Sequence, residues 1–188
     1  MVRPVPQSSV PLYRITNRPA HVEHHIRPLV ADDEPFLWTA LYHALHVPPG
    51  ADPPSPEIVR QPEIARYVAG WTEQPGDLGF VAEVDGEPVG AAWLRRWSSG
   101  DRGYGFVDEA TPELSMSLLP SHRGRGIGTA LLRRLLAAAA HESEAVSLSV
   151  SESNAALRLY ERFGFVVVGE PEGGSVTMVK SLPSQDAV

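Results

Sequence analysis

The 188-residue chain contains no cysteine. Disulfides, cysteine-based zinc sites, redox CxxC chemistry and a cysteine nucleophile are excluded together. Lysine is nearly missing too: of the 16 basic residues only Lys180 is a lysine, and the other 15 are arginine, a preference that codon bias explains. No stretch reaches the ~18 consecutive apolar residues of a membrane span. The opening MVRPVPQSSVPLYR lacks the continuous apolar run of a secretory signal. A soluble, cytoplasmic protein with no membrane partner is expected. Positive charge is also short, with 23 acidic residues giving a net charge of -7. Nucleic acid is not an expected partner, because phosphate contact needs a basic face.

What is present suits one domain of ordinary size, 43% hydrophobic, able to bury its core without staples. Residues 1–24 are rich in Pro, Arg, Ser and His without a period, and are expected to form a flexible extension. His21, His24 and the adjoining His25 have no Cys or matching His pair nearby, so no metal is assigned. The domain is expected over 25–182, with a short tail at 183–188.

Within it, His25–Pro28 reads as a strand, and Asp32, Asp33 and Glu34 introduce a helix at its positive dipole end. Phe36, Leu37, Ala40, Leu41, Ala44 and Leu45 give that helix an apolar face. After a proline-rich break at 47–56, a second helix is expected from Ile58 to Val68, with Pro62 entering or interrupting it. Asp85-Gly86 joins two strands as a tight hairpin turn, the second opening near Pro88. Further strands are expected at 113–119, 145–150, 165–168 and 175–179, with helices at 129–141 and 154–163. Gly164 stops the last helix. The order predicts a mixed α/β sheet with no internal repeat.

One stretch carries chemistry: Leu118-Leu119-Pro120-Ser121-His122-Arg123-Gly124-Arg125-Gly126-Ile127-Gly128-Thr129, between a strand and a helix. Its glycines let the backbone turn tightly and converge N–H groups, and the helix adds its unpaired amides and positive end. This is an anion cradle, most simply for a pyrophosphate. A Walker A loop needs a lysine that is not there, and a dinucleotide GxGxxG fails at Thr129. Arg123, Gly126 and Gly128 instead match Arg/Gln-x-x-Gly-x-Gly/Ala at every fixed position.

With that pattern, the chain resembles the GNAT superfamily of N-acetyltransferases. A second family signature follows as Asn154-Ala-Ala-Leu-Arg-Leu-Tyr160-Glu-Arg-Phe-Gly164-Phe165, and the likeness covers about 25–181. It implies a mixed, mostly antiparallel central sheet of six to seven strands flanked by about four helices. It also implies acetyl-CoA as cosubstrate, no metal, and an amine acceptor, with a homodimer as a family-level expectation. Met116, Ser117 and Leu118 are implied to pair with the pantetheine amides, and Arg123, Gly124, Arg125, Gly126, Ile127, Gly128 and Thr129 to hold the pyrophosphate. Arg125 is equally well read as a solvent-facing arginine. Many family members place the Asn seven residues before the Tyr; here it is six, with Ser153 at the seventh, so Asn154 or Ser153 approaches the cofactor.

Acetyl transfer to an amine needs a deprotonated nucleophile, a polarised carbonyl and a proton for the thiolate. None requires an enzyme cysteine, which fits direct attack in a ternary complex. Tyr160 is the candidate acid and Glu113 the candidate base, with Asp108, Glu109 or water as alternatives for the latter. Trp38, Tyr42, Trp97 and Tyr104 are candidate walls of the acceptor pocket. A small-molecule amine is favoured over a protein amine. The competing readings are a non-catalytic acyl-CoA-binding or regulatory domain and a nucleotide-binding protein.

Overall fold

The computed structural model describes residues 23–183. Seven strands, β1 (His25–Pro28), β2 (Leu78–Val84), β3 (Glu87–Arg95), β4 (Glu113–Leu118), β5 (Ala145–Ser151), β6 (Val166–Glu172) and β7 (Ser175–Ser181), join in one sheet. Their order is β1-β2-β3-β4-β5-β7-β6. Every neighbouring pair is antiparallel except β4 and β5. Four helices accompany the sheet: α1 (Glu34–Ala44), α2 (Pro62–Ala65), α3 (Ile127–Ala139) and α4 (Leu157–Arg162). This is the mixed, mostly antiparallel α/β architecture expected from the sequence. No described helix is long and apolar enough to cross a membrane. The expected extension at 1–24 lies, apart from its last two residues, outside the described residues, as do all but the first residue of the expected tail. Of the histidines at its end, His21 is not described, while the adjoining His25 Nδ1, on β1, lies 3.6 Å from Glu83 Oε2.

Local chemistry sets the turns. Asp85 (φ 54°) and Gly86 (φ 82°) both take positive φ, which gives the two-residue turn whose twist matches a hairpin. Pro88 falls where the β2–β3 register shifts, so its missing N–H breaks no regular ladder bond. The helix expected from 58 to 68 does not form as one piece. Pro62 forces Gln61 into extended backbone (φ -64°, ψ 134°), as proline does to the residue before it. A 3₁₀ turn at Pro56–Arg60 and the four-residue α2 result. The last helix also starts late, at Leu157: the Asn154 side chain accepts the Ala156 amide at 2.9 Å in a turn that precedes it.

Strand alternation divides the core between the two faces of the sheet. On one face α3 buries Ile127, Leu131, Leu132, Leu135 and Leu136 against Leu94, Leu114, Val146, Leu148 and Met178. Each such side chain is worth about 1.5–3 kcal/mol of burial. On the other face α1 and the 56–71 segment cover Val81, Ala91, Trp93 and Trp97 with Leu37, Leu41, Ile64 and Val68.

The feature that positions the site is a parting in the middle of the sheet. β4 and β5 share a single register pair, Glu113 with Ser147, tied by the Ser147 amide on the Pro112 carbonyl at 3.0 Å. Beyond that pair the two strands are not hydrogen-bonded, although β4 stays paired with β3, and β5 with β7, along their lengths.

Candidate active site

Backbone alternation determines what lines the parting. The Leu119 amide donates to Val89 on the β3 side, whereas the Pro112 carbonyl accepts from Ser147 on the β5 side. Residues 114, 116 and 118 therefore turn their backbone polar groups toward the gap. Met116 presents both N–H and C=O there, and Leu118 its N–H. The Leu118 carbonyl is occupied by Arg123 Nε at 3.1 Å. Ser117 faces elsewhere: its register partner is Ala91, and its Oγ donates to the Ala40 carbonyl at 2.6 Å, pinning β4 to α1.

At the end of β4 the chain turns through Pro120–His122 into the glycine stretch. Gly124 (φ 73°) and Gly126 (φ 86°) are left-handed, and a Cβ at either would meet no atom within 4 Å. Conformation, not crowding, demands glycine there. The first helical bond of α3 runs from the Ala130 amide to the Gly126 carbonyl at 3.1 Å. The amides of Ile127, Gly128 and Thr129 thus stand free of the helix ladder at its positive end. A Cβ at Gly128 would lie 3.4 Å from Leu118 Cδ1 and 3.9 Å from Met116 Cε. The cradle and the open edge of β4 are therefore contiguous.

The arginines of this loop behave differently. Arg123 reaches back, its guanidinium donating to the carbonyls of Leu118 and of His43, the latter at 3.2 Å. It ties the loop to the end of α1, and burial together with its charge holds His43 below the usual histidine range. Arg125 is exposed and makes no hydrogen bond or ion pair with the described residues.

Glu113, at the apex of the parting, is 3% exposed. Its Oε1 accepts from the Tyr67 hydroxyl at 2.9 Å and the Gly105 amide at 2.9 Å, and its Oε2 accepts from Trp97 Nε1 at 2.7 Å. Burial pushes the carboxyl above its usual 4.5, against the opposing pull of these three donors. The 103–105 loop lies directly on it. A Cβ at Gly103 would collide with Glu113 Oε2, and one at Gly105 would come within 2.6 Å of the Leu148 backbone. Asp108 and Glu109 are engaged elsewhere. Asp108 caps the amides of Ala110 and Thr111, and Glu109 accepts from both the amide and hydroxyl of Ser99.

Tyr160 is buried in the α3-side core, edge-on to Phe165 at 5.7 Å. Its hydroxyl makes no hydrogen bond with the described residues, and burial pushes it up to about 12. Asn154 closes the turn before α4, while Ser153 Oγ meets His46 Nε2 at 2.8 Å and Ser151 Oγ at 3.1 Å. Of the four aromatics proposed as acceptor walls, two gather at Glu113. Trp97 donates to it, and Tyr104 stacks on Tyr67 with ring centroids 6.3 Å apart. The other two hold the proline-rich segment. Tyr42 donates to the Pro54 carbonyl at 2.9 Å, and Trp38 lies under Arg60 with its indole on Glu34.

Beside this parted sheet and glycine cradle stands a comparison of sequence: the acetyltransferase (GNAT) family matches residues 38–165. The chain belongs to the GNAT family. It is 36% identical over 126 residues to a mycothiol acetyltransferase of Acidimicrobium ferrooxidans, covering 64% of this chain and 36% of that one. It is 33% identical over 105 residues to an L-methionine sulfoximine/L-methionine sulfone acetyltransferase of Salmonella typhimurium, covering 53% of this chain and 58% of that one. The matches thus span between about a third and three fifths of these curated relatives' length. Among solved structures, a GNAT superfamily phosphinothricin acetyltransferase from Sinorhizobium meliloti, in complex with acetyl-CoA, shares the fold. That likeness has a TM-score of 0.61 at 21% identity, over 88% of this chain and 91% of that one.

Within this GNAT chain, two residues at the site escaped the sequence reading. Tyr67 follows α2 in an irregular segment and belongs to no motif. Arg95 is 1% exposed, so charge patterning gave no reason to expect it inside. Its guanidinium donates to the carbonyls of Arg66, Val68 and Ala69 at 3.0–3.2 Å, fixing the backbone that carries Tyr67. The only sequence signal was strand alternation: Trp93, Arg95 and Trp97 fall on one face of β3 and its continuation.

Proposed function

We propose that the protein is an acetyl-CoA-dependent N-acetyltransferase acting on a small-molecule amine by direct attack in a ternary complex. The observation that carries this is the free backbone edge at Met116 and Leu118 running into the unpaired amides of Ile127, Gly128 and Thr129. An extended cosubstrate with amide groups along its arm and a pyrophosphate at its end needs that sequence of donors and acceptors. Gly124, Arg125 and Gly126 complete the cradle, with Arg123 bracing it from behind. Ser117 contributes as a strut to α1, and Asn154 as the turn that leads into the helix bearing Tyr160.

The amine nitrogen attacks the thioester carbonyl, the C–S bond breaks, and an amide and free coenzyme A result. The nitrogen's proton goes to Glu113, and the departing sulfur takes one from Tyr160. A phenol held at about 12 stays protonated at neutral pH and is a donor in waiting. Since Glu113 is sealed behind Tyr67, Trp97 and Gly105, its proton arrives through an intervening group, for which water suffices. The L-methionine derivatives named for the Salmonella relative favour an acceptor of amino-acid size.

Thiol release from acetyl-CoA across a panel of amino acids, polyamines and peptide N-termini tests the reading, run beside thermal shift with coenzyme A, ATP and NAD. Turnover with at least one amine, lost by about 10²–10⁴-fold in Glu113→Gln, is expected. Stabilisation by coenzyme A without turnover on any amine identifies a binding module instead. Stabilisation by ATP or NAD alone identifies a nucleotide-binding protein.

A further inference from the structure

The Tyr67 hydroxyl stands between two partners whose roles are fixed. The Tyr104 amide lies 2.6 Å away and can only donate, so the phenolic oxygen is its acceptor. The single phenolic proton is then committed to Glu113 Oε1 at 2.9 Å. The ring has little freedom to depart from this. It packs edge-on to Trp97 at 5.0 Å and parallel to Tyr104, and it is buried. The backbone beneath it is equally constrained, because Trp93 Nε1 donates to the Tyr67 carbonyl at 2.9 Å while Arg95 holds the carbonyls on both sides.

Three segments remote in sequence thus meet at one oxygen: the turn after α2, the 98–106 loop and the first residue of β4. The loop supplies the carboxylate with a second direct bond, from the Gly105 amide. A shift of residues 104–105 would therefore change both contacts of Oε1 together.

We propose that Tyr67 is a positioning residue for acetyl transfer, relaying the seating of the 98–106 loop to the Glu113 carboxylate. The proposal rests on Glu113 being the base. Of the charged and titratable groups around the carboxylate, the Tyr67 phenol faces it, the Tyr104 ring lies beyond, stacked on Tyr67, and Arg95 is its cross-strand partner. Of these only Tyr67 bonds to it, since Arg95 is turned toward Asp77, 3.3 Å away.

The test is the pH dependence of kcat/KM for the best amine of the panel, measured on the full chain. Tyr67→Phe keeps the ring and its packing and removes the hydroxyl, and with it both the donor to Glu113 and the acceptor of the Tyr104 amide. The expected result is a loss of about tenfold or more, in kcat and not in KM for acetyl-CoA, with the acid limb moved to higher pH. The sign follows because a carboxylate that loses a hydrogen-bond donor is harder to ionise. Combining Tyr67→Phe with Glu113→Gln is expected to cost no more than Glu113→Gln alone. Site-specific 3-fluorotyrosine at position 67, a stronger donor of the same shape, is expected to move the limb the other way, and it serves if the phenylalanine variant folds poorly. An unmoved limb in both variants, beside a Glu113→Gln enzyme that has lost activity, overturns the role of Tyr67 and leaves Glu113 as base. A fully active Glu113→Gln enzyme overturns both.

Discussion

Arg95 and Glu113 are direct cross-strand partners on β3 and β4, and they do not pair. Both are buried, at 1% and 3% exposure. Arg95 serves the backbone at 66–69 and approaches Asp77 Oδ1 at 3.3 Å, outside hydrogen-bond geometry. Glu113 takes only neutral donors. A cation beside the carboxylate would draw its titration down and leave a poor base. Turning the guanidinium away keeps that titration high.

Arg95→Met is expected to destabilise the fold by about 3–5 kcal/mol, because it strands Asp77 and frees three carbonyls from their donor. Urea unfolding midpoints measure it. Adding Asp77→Asn should return part of the loss, since burial already pushes that carboxyl toward its neutral form.

With Glu113 as base, kcat/KM should fall as pH drops through a value above 4.5, the ordinary position of such a carboxyl. The sign follows from burial raising the titration, so that the active, ionised form is lost earlier on acidification. A profile flat down to pH 4.5 would exclude Glu113.

Tyr160→Phe should lower kcat by about 10²-fold or more while leaving the melting temperature nearly unchanged. The ring stays packed on Phe165, and the hydroxyl it loses has no hydrogen bond to give up. Stopped-flow comparison of chemistry with product release locates the loss.

Gly126→Ala should cost about 1–2 kcal/mol for forcing an L-residue to positive φ, and should also raise KM for acetyl-CoA. Gly50→Ala is the control. It carries the same strain (φ 83°) with no neighbour within 4 Å and is not part of the cradle, so KM should not move.

Arg27 grips Asp33 with two bonds of 2.7 and 2.8 Å and holds its carboxyl below the usual aspartate range. Asp33→Asn is expected to lower stability at pH 7 by roughly 1–2 kcal/mol, a modest figure because Arg27 is 32% exposed. The stabilisation is complete above the unfolded value of about 3.8 and disappears as pH falls through the lower folded value. Thermal melts of the two proteins should therefore draw together as pH is taken down from 3.8.

The hairpin at Asp85-Gly86, the strand opening at Glu113 and the glycine cradle were all legible, because each depends on residues close together in sequence. Helix length was less so. Whether Pro62 would enter a helix or break it was settled by the extended backbone it imposes on Gln61. Tyr67, by contrast, acts through hydrogen bonds spanning 46 and 37 residues, which leave no period and no spacing to read. A still greater distance in sequence separates Trp38 and Tyr42 from Glu113. Their helix was evident, but which neighbours its two aromatics would meet depended on how the proline-rich segment folds back.

Most sheets have two unpaired borders, both on the outside. This one has inner borders as well, where β4 and β5 diverge from Glu113 and Ser147. An outer border invites any extended chain to add itself and so to aggregate. An inner border is flanked on both sides by its own protein, and it narrows to one strand spacing, about 4.8 Å, at its closed end. Self-association through it is sterically barred, while one slender molecule can still thread it. Amide hydrogen exchange at Met116 should accordingly be fast for the centre of a sheet, and should slow when a ligand fills the gap.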